Sequence, residues 1–193
     1  MWEKIIFVCS SGTCRAPLAK ALLDESNLKY EIEIQAKGLV VLMPEPINQK
    51  ISAVMISNGI NMEDYMASQL EPQDITDRTL ILAMEQKQVP KVLEIIGEER
   101  APQVRVLTEL VGEELEIMDP FGAPLPSYGL CFESMSKTIR KLANWLNEQE
   151  ASDVRNTIRL YQLGRILHGC CHAVGYAFKG SEYAGRCVYR QSG

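Results

Sequence analysis

The chain has 193 residues, 46% hydrophobic and 23% charged, with a net charge of -5 and a sequence pI near 5.2. That is the length of one ordinary domain with an appendage, and the apolar share is that of a globular protein rather than a disordered or fibrous one. The acidic balance excludes a partner such as DNA that is held by neutralising its backbone, and no apolar run approaches the roughly 20 residues of a membrane span.

The N-terminus, Met1-Trp2-Glu3-Lys4, leads into the short apolar burst Ile5 to Cys9. The burst is too short for a signal-peptide core and lacks a small-residue cleavage site, so a cytoplasmic protein is expected. Its continuous apolar character predicts a buried strand, followed by a small-residue turn and a helix whose apolar positions Leu18, Ala21 and Leu22 recur at helical spacing. A second strand is expected near Ile32 to Ala36, ending at Gly38, and a second helix over Ile51 to Gly59 with a glycine at its end. Thr79 to Ala83 predicts a third buried strand, Val89 to Ile96 a helix, and Val104 to Leu107 a shorter strand. The last amphipathic helix is expected from about Glu133 to Gln149, with Ile139, Leu142, Ala143 and Leu146 facing inward. Strands alternating with helices imply a doubly wound parallel sheet covered on both faces, with ligands outside the carboxyl ends of the strands.

After Glu150 the texture changes. Residues 151–193 hold six Lys/Arg against two Asp/Glu, a charge of +4, which leaves -9 on the first 150 residues. The tail also contains Cys170, Cys171 and Cys187, which are half the cysteines, and both histidines, with only Ile158 to Leu167 resembling a helix. Two parts are therefore expected, a domain over 1–150 and a basic, poorly ordered extension over 151–193 without a core of its own. The run His168-Gly169-Cys170-Cys171-His172 is a poor zinc site: its cysteines are adjacent, and no second ligand pair follows. No metal is expected. The stretch Gly169 to Lys179 is faintly similar to the opening of ribose-5-phosphate isomerase B but far too short to be that enzyme, and a read-through or frame-shifted extension is the expected origin.

The most informative stretch is Cys9-Ser10-Ser11-Gly12-Thr13-Cys14-Arg15, where the first strand hands over to the first helix. A loop of this length can curl until successive backbone N–H groups converge on one point, with the positive end of the helix behind them, which makes an anion nest suited to phosphate. The same field is expected to lower the pKa of Cys9 and supply a thiolate nucleophile. Arg15 presents a planar fork of donors that can grip two phosphate oxygens. The alternative is a buried structural cysteine beside a surface arginine.

A thiolate displaces phosphate only if the leaving group receives a proton, so the site needs a general acid above the loop. Asp119, in Met118-Asp119-Pro120-Phe121-Gly122, is the candidate: the proline stiffens the backbone and the glycine lets it bend. An ordinary Asp-Pro turn is the bland alternative.

Over residues 4 to about 147 the chain resembles the low-molecular-weight protein-tyrosine-phosphatase family. The resemblance rests on Cys9 and Arg15 six apart near the N-terminus, on Asp119-Pro120, and on Ala36-Lys37-Gly38, Asn58-Gly59-Ile60 with Ser68-Gln69-Leu70, and Leu80-Ile81-Leu82-Ala83-Met84-Glu85. It implies a four-stranded, flavodoxin-like (Rossmann-like) three-layer sandwich acting on phosphorylated proteins with no cofactor; no nucleic-acid or membrane partner is expected from charge and hydropathy, and the oligomeric state is left open with a monomer favoured. Cys9 is then the nucleophile, Arg15 the phosphate clamp and Asp119 first acid and then base, with Ser10, Ser11, Gly12, Thr13 and Cys14 binding the phosphate. A reversible Cys9–Cys14 disulfide under oxidation is a further implication, beside a plain packing role for Cys14.

Two departures stand out. The family usually has Gly-Asn where this chain has Ser11-Gly12, and Ser or Thr where it has Ala16, so polar groups that brace the loop are missing. Thr13 and Phe121 bear on specificity: the protein-arginine phosphatases resemble this chain in a Thr at that place and in Asp-Pro-Phe-Gly, whereas the tyrosine-specific members commonly carry a larger aliphatic residue and Asp-Pro-Tyr. Phosphoarginine is the favoured substrate and phosphotyrosine the alternative, followed by an arsenate reductase-like enzyme and a non-catalytic phosphate- or partner-binding module.

Overall fold

The computed structural model describes the backbone of residues 2–173 and the side chains of residues 2–149. The chain divides into two units, Met1–Ser152 and Asp153–Gly193. The side chains of the His168 to His172 run, and the stretch on to Lys179, lie outside the described residues.

Four parallel strands form one sheet in the order β2-β1-β3-β4, with β1 Lys4–Cys9, β2 Glu33–Gly38, β3 Thr79–Ala83 and β4 Val104–Val106. The central strands β1 and β3 are the apolar runs expected of strands buried on both faces. Period-two alternation sorts β1 between two cores: Ile5, Phe7 and Cys9 join one, while Ile6 and Val8 join the other. The first core takes its other walls from α1 (Arg15–Asp24), α2 (Gln49–Ser57) and α5 (Leu125–Ala173), the second from α3 (Val89–Ile96). On α5 the residues Tyr128, Cys131, Met135, Ile139, Leu142 and Leu146 fall on one stripe at helical spacing and are all buried. The sheet is thus covered on both faces, as the alternation of elements predicts.

Several boundaries differ from the sequence reading: α2 opens at Gln49 and closes at Ser57 rather than running from Ile51 to Gly59, and β2 starts at Glu33 rather than Ile32. Strand β4 ends at Val106, and Leu107 opens a short helical turn, α4 (Leu107–Leu110), while keeping its buried place. Helix α5 begins at Leu125 rather than near Glu133, and its bounds continue to Ala173. Pro126 and Gly129 argue against a helix when read as breakers, yet a proline in the first turn removes only an N–H that lacks a helical partner. The strand order turns back on itself at β1 and β3, and the carboxyl ends of those two strands are where an open sheet of this order takes its ligand.

Candidate active site

Strand β1 ends at Cys9, whose register partner on β2 is Gly38. Residues 10–14 then form the loop that enters α1. The backbone N–H groups of Ala16, Gly12 and Cys14 lie around the Cys9 sulfur and all favour its charged form. The loop is pinned from the β2 side. Leu39 N–H donates to the Cys9 and Ser10 carbonyls at 3.0 and 3.1 Å, Val40 N–H to Ser10 O at 3.0 Å, and Asn48 N–H to Thr13 O at 2.9 Å.

Two glycines make this closeness possible. A Cβ on Gly12, whose φ is +74°, would lie 2.8 Å from Gly38 N, and a Cβ on Gly38 would lie 2.7 Å from the Ser11 carbonyl. Side chains at either place would force the loop and β2 apart. Within the loop, Ser11 Oγ and Thr13 Oγ1 share a hydrogen bond of 2.8 Å, and both hydroxyls stay beside the nest.

Arg15 is 1% exposed and Cys9 3%, so the pairing of a structural cysteine with a surface arginine is ruled out on the arginine's side. The guanidinium is held at both ends. Nη1 donates to the Ile117 carbonyl at 3.1 Å, while Nη2 lies 2.6 Å from Glu85 Oε1 and 2.6 Å from Asp119 Oδ2. Asp119 is thereby brought to the loop across more than a hundred residues of chain, and its other oxygen accepts the Phe121 N–H at 3.1 Å, which closes the Asp-Pro turn. Phe121 itself is 75% exposed on the rim. All of the residues expected at the site are together: Cys9, Ser10, Ser11, Gly12, Thr13, Cys14 and Arg15 in the loop, Asp119 against Arg15, and Phe121 beside Asp119.

The electrostatics differ from the sequence expectation in one respect. Burial dominates at Cys9 and pushes its thiol up, against the three amides and the Arg15 charge that pull it down. Arg15 is also partly neutralised by its two carboxylates. The sulfur therefore carries its proton more readily in this state than a helix N-terminus and an arginine alone would suggest. Burial likewise raises Cys14, and pushes Cys131 up to about 11. All three are free thiols.

Several participants were not singled out from sequence. Glu85 follows β3; burial opposes its ionisation, but the bonds from Lys87 and Arg15 outweigh it and hold the carboxyl below the usual range. A Glu just past the carboxyl end of a central strand is the signal that would have found it. Gln88, buried in the turn before α3, reaches Glu85 Oε1 at 3.3 Å and Ser10 Oγ at 3.4 Å and accepts Met84 N–H at 3.0 Å. Tyr65 donates its hydroxyl to the Gly12 carbonyl at 2.6 Å. Lys50 donates to the Ala123 carbonyl at 2.7 Å and sits 5.5 Å over the Tyr128 ring. Among the described residues no group of three His, Cys, Asp or Glu is placed to hold a metal ion, and no helix is long and apolar enough to cross a membrane.

Known proteins of the same kind bear on this geometry. The family model described as low molecular weight phosphotyrosine protein phosphatase matches residues 4–152. A protein-arginine-phosphatase of Geobacillus stearothermophilus is 27% identical over 147 residues, covering 76% of this chain and 98% of that one. The low molecular weight protein-tyrosine-phosphatase PtpB of Staphylococcus epidermidis is 30% identical over 139 residues, covering 72% of this chain and 96% of its own. Among solved structures, the YwlE arginine phosphatase from Geobacillus stearothermophilus superposes with a TM-score of 0.71 at 28% identity, covering 77% of this chain and 96% of that one. Relatives of both specificities match at similar identity, and the family model spans both the cysteine loop and the Asp-Pro turn: the chain belongs to the low molecular weight phosphotyrosine protein phosphatase family.

Proposed function

We propose that the chain hydrolyses phosphoarginine on proteins in the cytoplasm through a phosphocysteine formed on Cys9. One observation carries the reading: three backbone N–H groups converge on the Cys9 sulfur beside an arginine that already grips the carboxylate of an Asp-Pro turn.

The chemistry follows from that arrangement. An incoming phosphoryl group competes with Asp119 for Nη2 of Arg15 and releases the carboxyl. The proton count then balances within the site, because the resting thiol and the carboxylate hold between them one proton that moves from Cys9 to Asp119. The sulfur attacks phosphorus as the P–N bond breaks, and Asp119 gives its proton to the leaving guanidine nitrogen. Arg15 and the loop amides meet the charge on the equatorial oxygens. In the second step Asp119 takes a proton from water, which attacks phosphorus, breaks the P–S bond and frees inorganic phosphate. These residues answer every charge change, so the scheme calls for no metal or cofactor.

The choice of phosphoarginine rests on Thr13 in the loop and on Asp119-Pro120-Phe121-Gly122, whose exposed ring can lie against a flat guanidinium. The protein-arginine-phosphatase among the relatives supports it. The test compares turnover of phosphoarginine and phosphotyrosine by the wild type and by Thr13→Ile. Faster turnover of phosphoarginine, shifted toward phosphotyrosine by the substitution, is expected; a preference that Thr13→Ile leaves unchanged disposes of the assignment. Cys9→Ser separates an enzyme from a binding module, since only an enzyme has turnover to lose while phosphate binding stays.

A further inference from the structure

Gly12 has no side chain with which to brace the loop, and the packing against Gly38 leaves room for none. Its carbonyl is held instead by the hydroxyl of Tyr65, 2.6 Å away and 53 residues on. The Gly12 carbonyl and the Thr13 N–H are opposite edges of one rigid peptide plane. That N–H donates to Ser11 Oγ at 3.4 Å, so a donor fixed on the carbonyl holds the plane in this setting and keeps a partial negative charge from turning toward the anion. The Gly12 N–H, on the preceding plane, favours the charged form of the Cys9 sulfur. Tyr65 is itself anchored: its own N–H donates to Met62 O at 3.1 Å, and two residues on, Ala67 N–H donates to Glu45 O at 2.8 Å.

We propose that Tyr65 is a positioning residue of the anion loop, whose hydroxyl sets the Gly12–Thr13 peptide so that its carbonyl stays turned away from the sulfur and the phosphoryl group. This rests on the phosphatase reading and supplies, from outside the loop, the bracing that Ser11-Gly12 lacks. The phenol is suited to the task because burial and the nearby Cys9 both raise its pKa and keep it a donor.

The test is Tyr65→Phe in the full chain, with two readouts that do not require turnover. In a Cys9→Ser background, inorganic phosphate titrated by calorimetry is expected to bind about tenfold more weakly, the loss of one hydrogen bond. In the otherwise native chain, the pH midpoint for alkylation of Cys9 by iodoacetamide is expected to move up, because the released Gly12 carbonyl can turn its partial negative charge toward the sulfur. Unchanged phosphate affinity and an unchanged midpoint overturn the proposal. So does a Tyr65→Phe protein that is unfolded by circular dichroism, since the hydroxyl then serves the fold rather than the loop. If the wild type turns over neither phosphorylated amino acid, the phosphatase reading fails while both readouts still judge Tyr65.

Discussion

Nη2 of Arg15 lies 2.6 Å from Oδ2 of Asp119. In the proposed scheme the donor that a phosphate needs and the carboxyl that later acts as acid occupy one another at rest. Binding and arming of the site are therefore a single exchange. Asp119→Asn keeps the shape and removes the competing charge, so inorganic phosphate is expected to bind as tightly as in the wild type or more tightly. Turnover of phosphoarginine is expected to fall about 10²- to 10⁴-fold, the usual range for a lost general acid. Steady-state kinetics beside a phosphate titration checks both, and weaker phosphate binding in the variant would contradict the exchange.

Glu85 is the second carboxylate on Arg15, and its position after β3 makes it a fixed counter-charge rather than a mobile one. Its carboxyl is held below the ordinary value of 4.5 by Lys87 and Arg15 against the effect of burial. A carboxyl so lowered stabilises the fold above that ordinary value, and the contribution fades as the pH falls through the folded value. Glu85→Gln is expected to lower the melting temperature at neutral pH and to flatten the fall in stability below about pH 4.5, where Glu85 of the unfolded wild-type chain takes up its proton before that of the folded chain. It is also expected to slow turnover by about tenfold, since Asp119 remains as the carboxylate on a buried guanidinium and is released less readily. Thermal unfolding between pH 3 and pH 7 and single-substrate kinetics are the measurements.

The alkaline side gives the opposite sign. Cys131 packs in the same core as Cys9 and Cys14, and burial first, then Asp119 and Cys9 against the opposing charge of Arg15, push it from 9.0 up to about 11. A thiol raised in this way favours the folded chain below its ordinary value, and that advantage is lost as pH rises toward the folded value. Stability is expected to decline between pH 9 and pH 11, and Cys131→Val, which keeps an apolar side chain of similar size, is expected to make the decline shallower. Denaturant unfolding at fixed pH values reads this out. A decline equally steep in the variant would place the titration elsewhere.

What could be read from the sequence was what local pattern encodes. The apolar run Ile5 to Val8 gives β1, the spacing from Cys9 to Arg15 gives the nest, and an Asp-Pro turn marks Asp119. The resemblance on short motifs joined the last two, which no periodicity connects. Tyr65, Gln88 and Lys50 escaped notice because each acts through contacts made across the fold, and a lone tyrosine, glutamine or lysine carries no spacing signal for such contacts. The ionisation of Cys9 was misjudged for a related reason. Sequence shows the charges near a group but not how deeply it is buried, and here burial is the larger influence. The start of α5 was set too late because Pro126 and Gly129 read as breakers until a helix N-terminus is known to lie there.

The last prediction concerns the loop that carries Asp119. Lys50 donates to the Ala123 carbonyl at 2.7 Å and lies 5.5 Å above the ring of Tyr128. The hydroxyl of Tyr128 in turn meets the Gly122 N–H and the Asn48 side chain. Residues 122 and 123 are thus tied to α2 and α5 a few positions past the acid, which leaves the Asp119 turn a short tether. Lys50→Met keeps the aliphatic stem over the ring but removes both the bond to the carbonyl and the charge. The loop amides and Arg15 are untouched, so inorganic phosphate is expected to bind as before. Proton delivery is expected to suffer, with turnover of phosphoarginine lower by about threefold to tenfold, and with a smaller loss on p-nitrophenyl phosphate, whose leaving group asks less of the acid. The comparison of the two substrates decides the matter: equal losses on both would mean that Lys50 supports the loop around Cys9 and not the placement of Asp119.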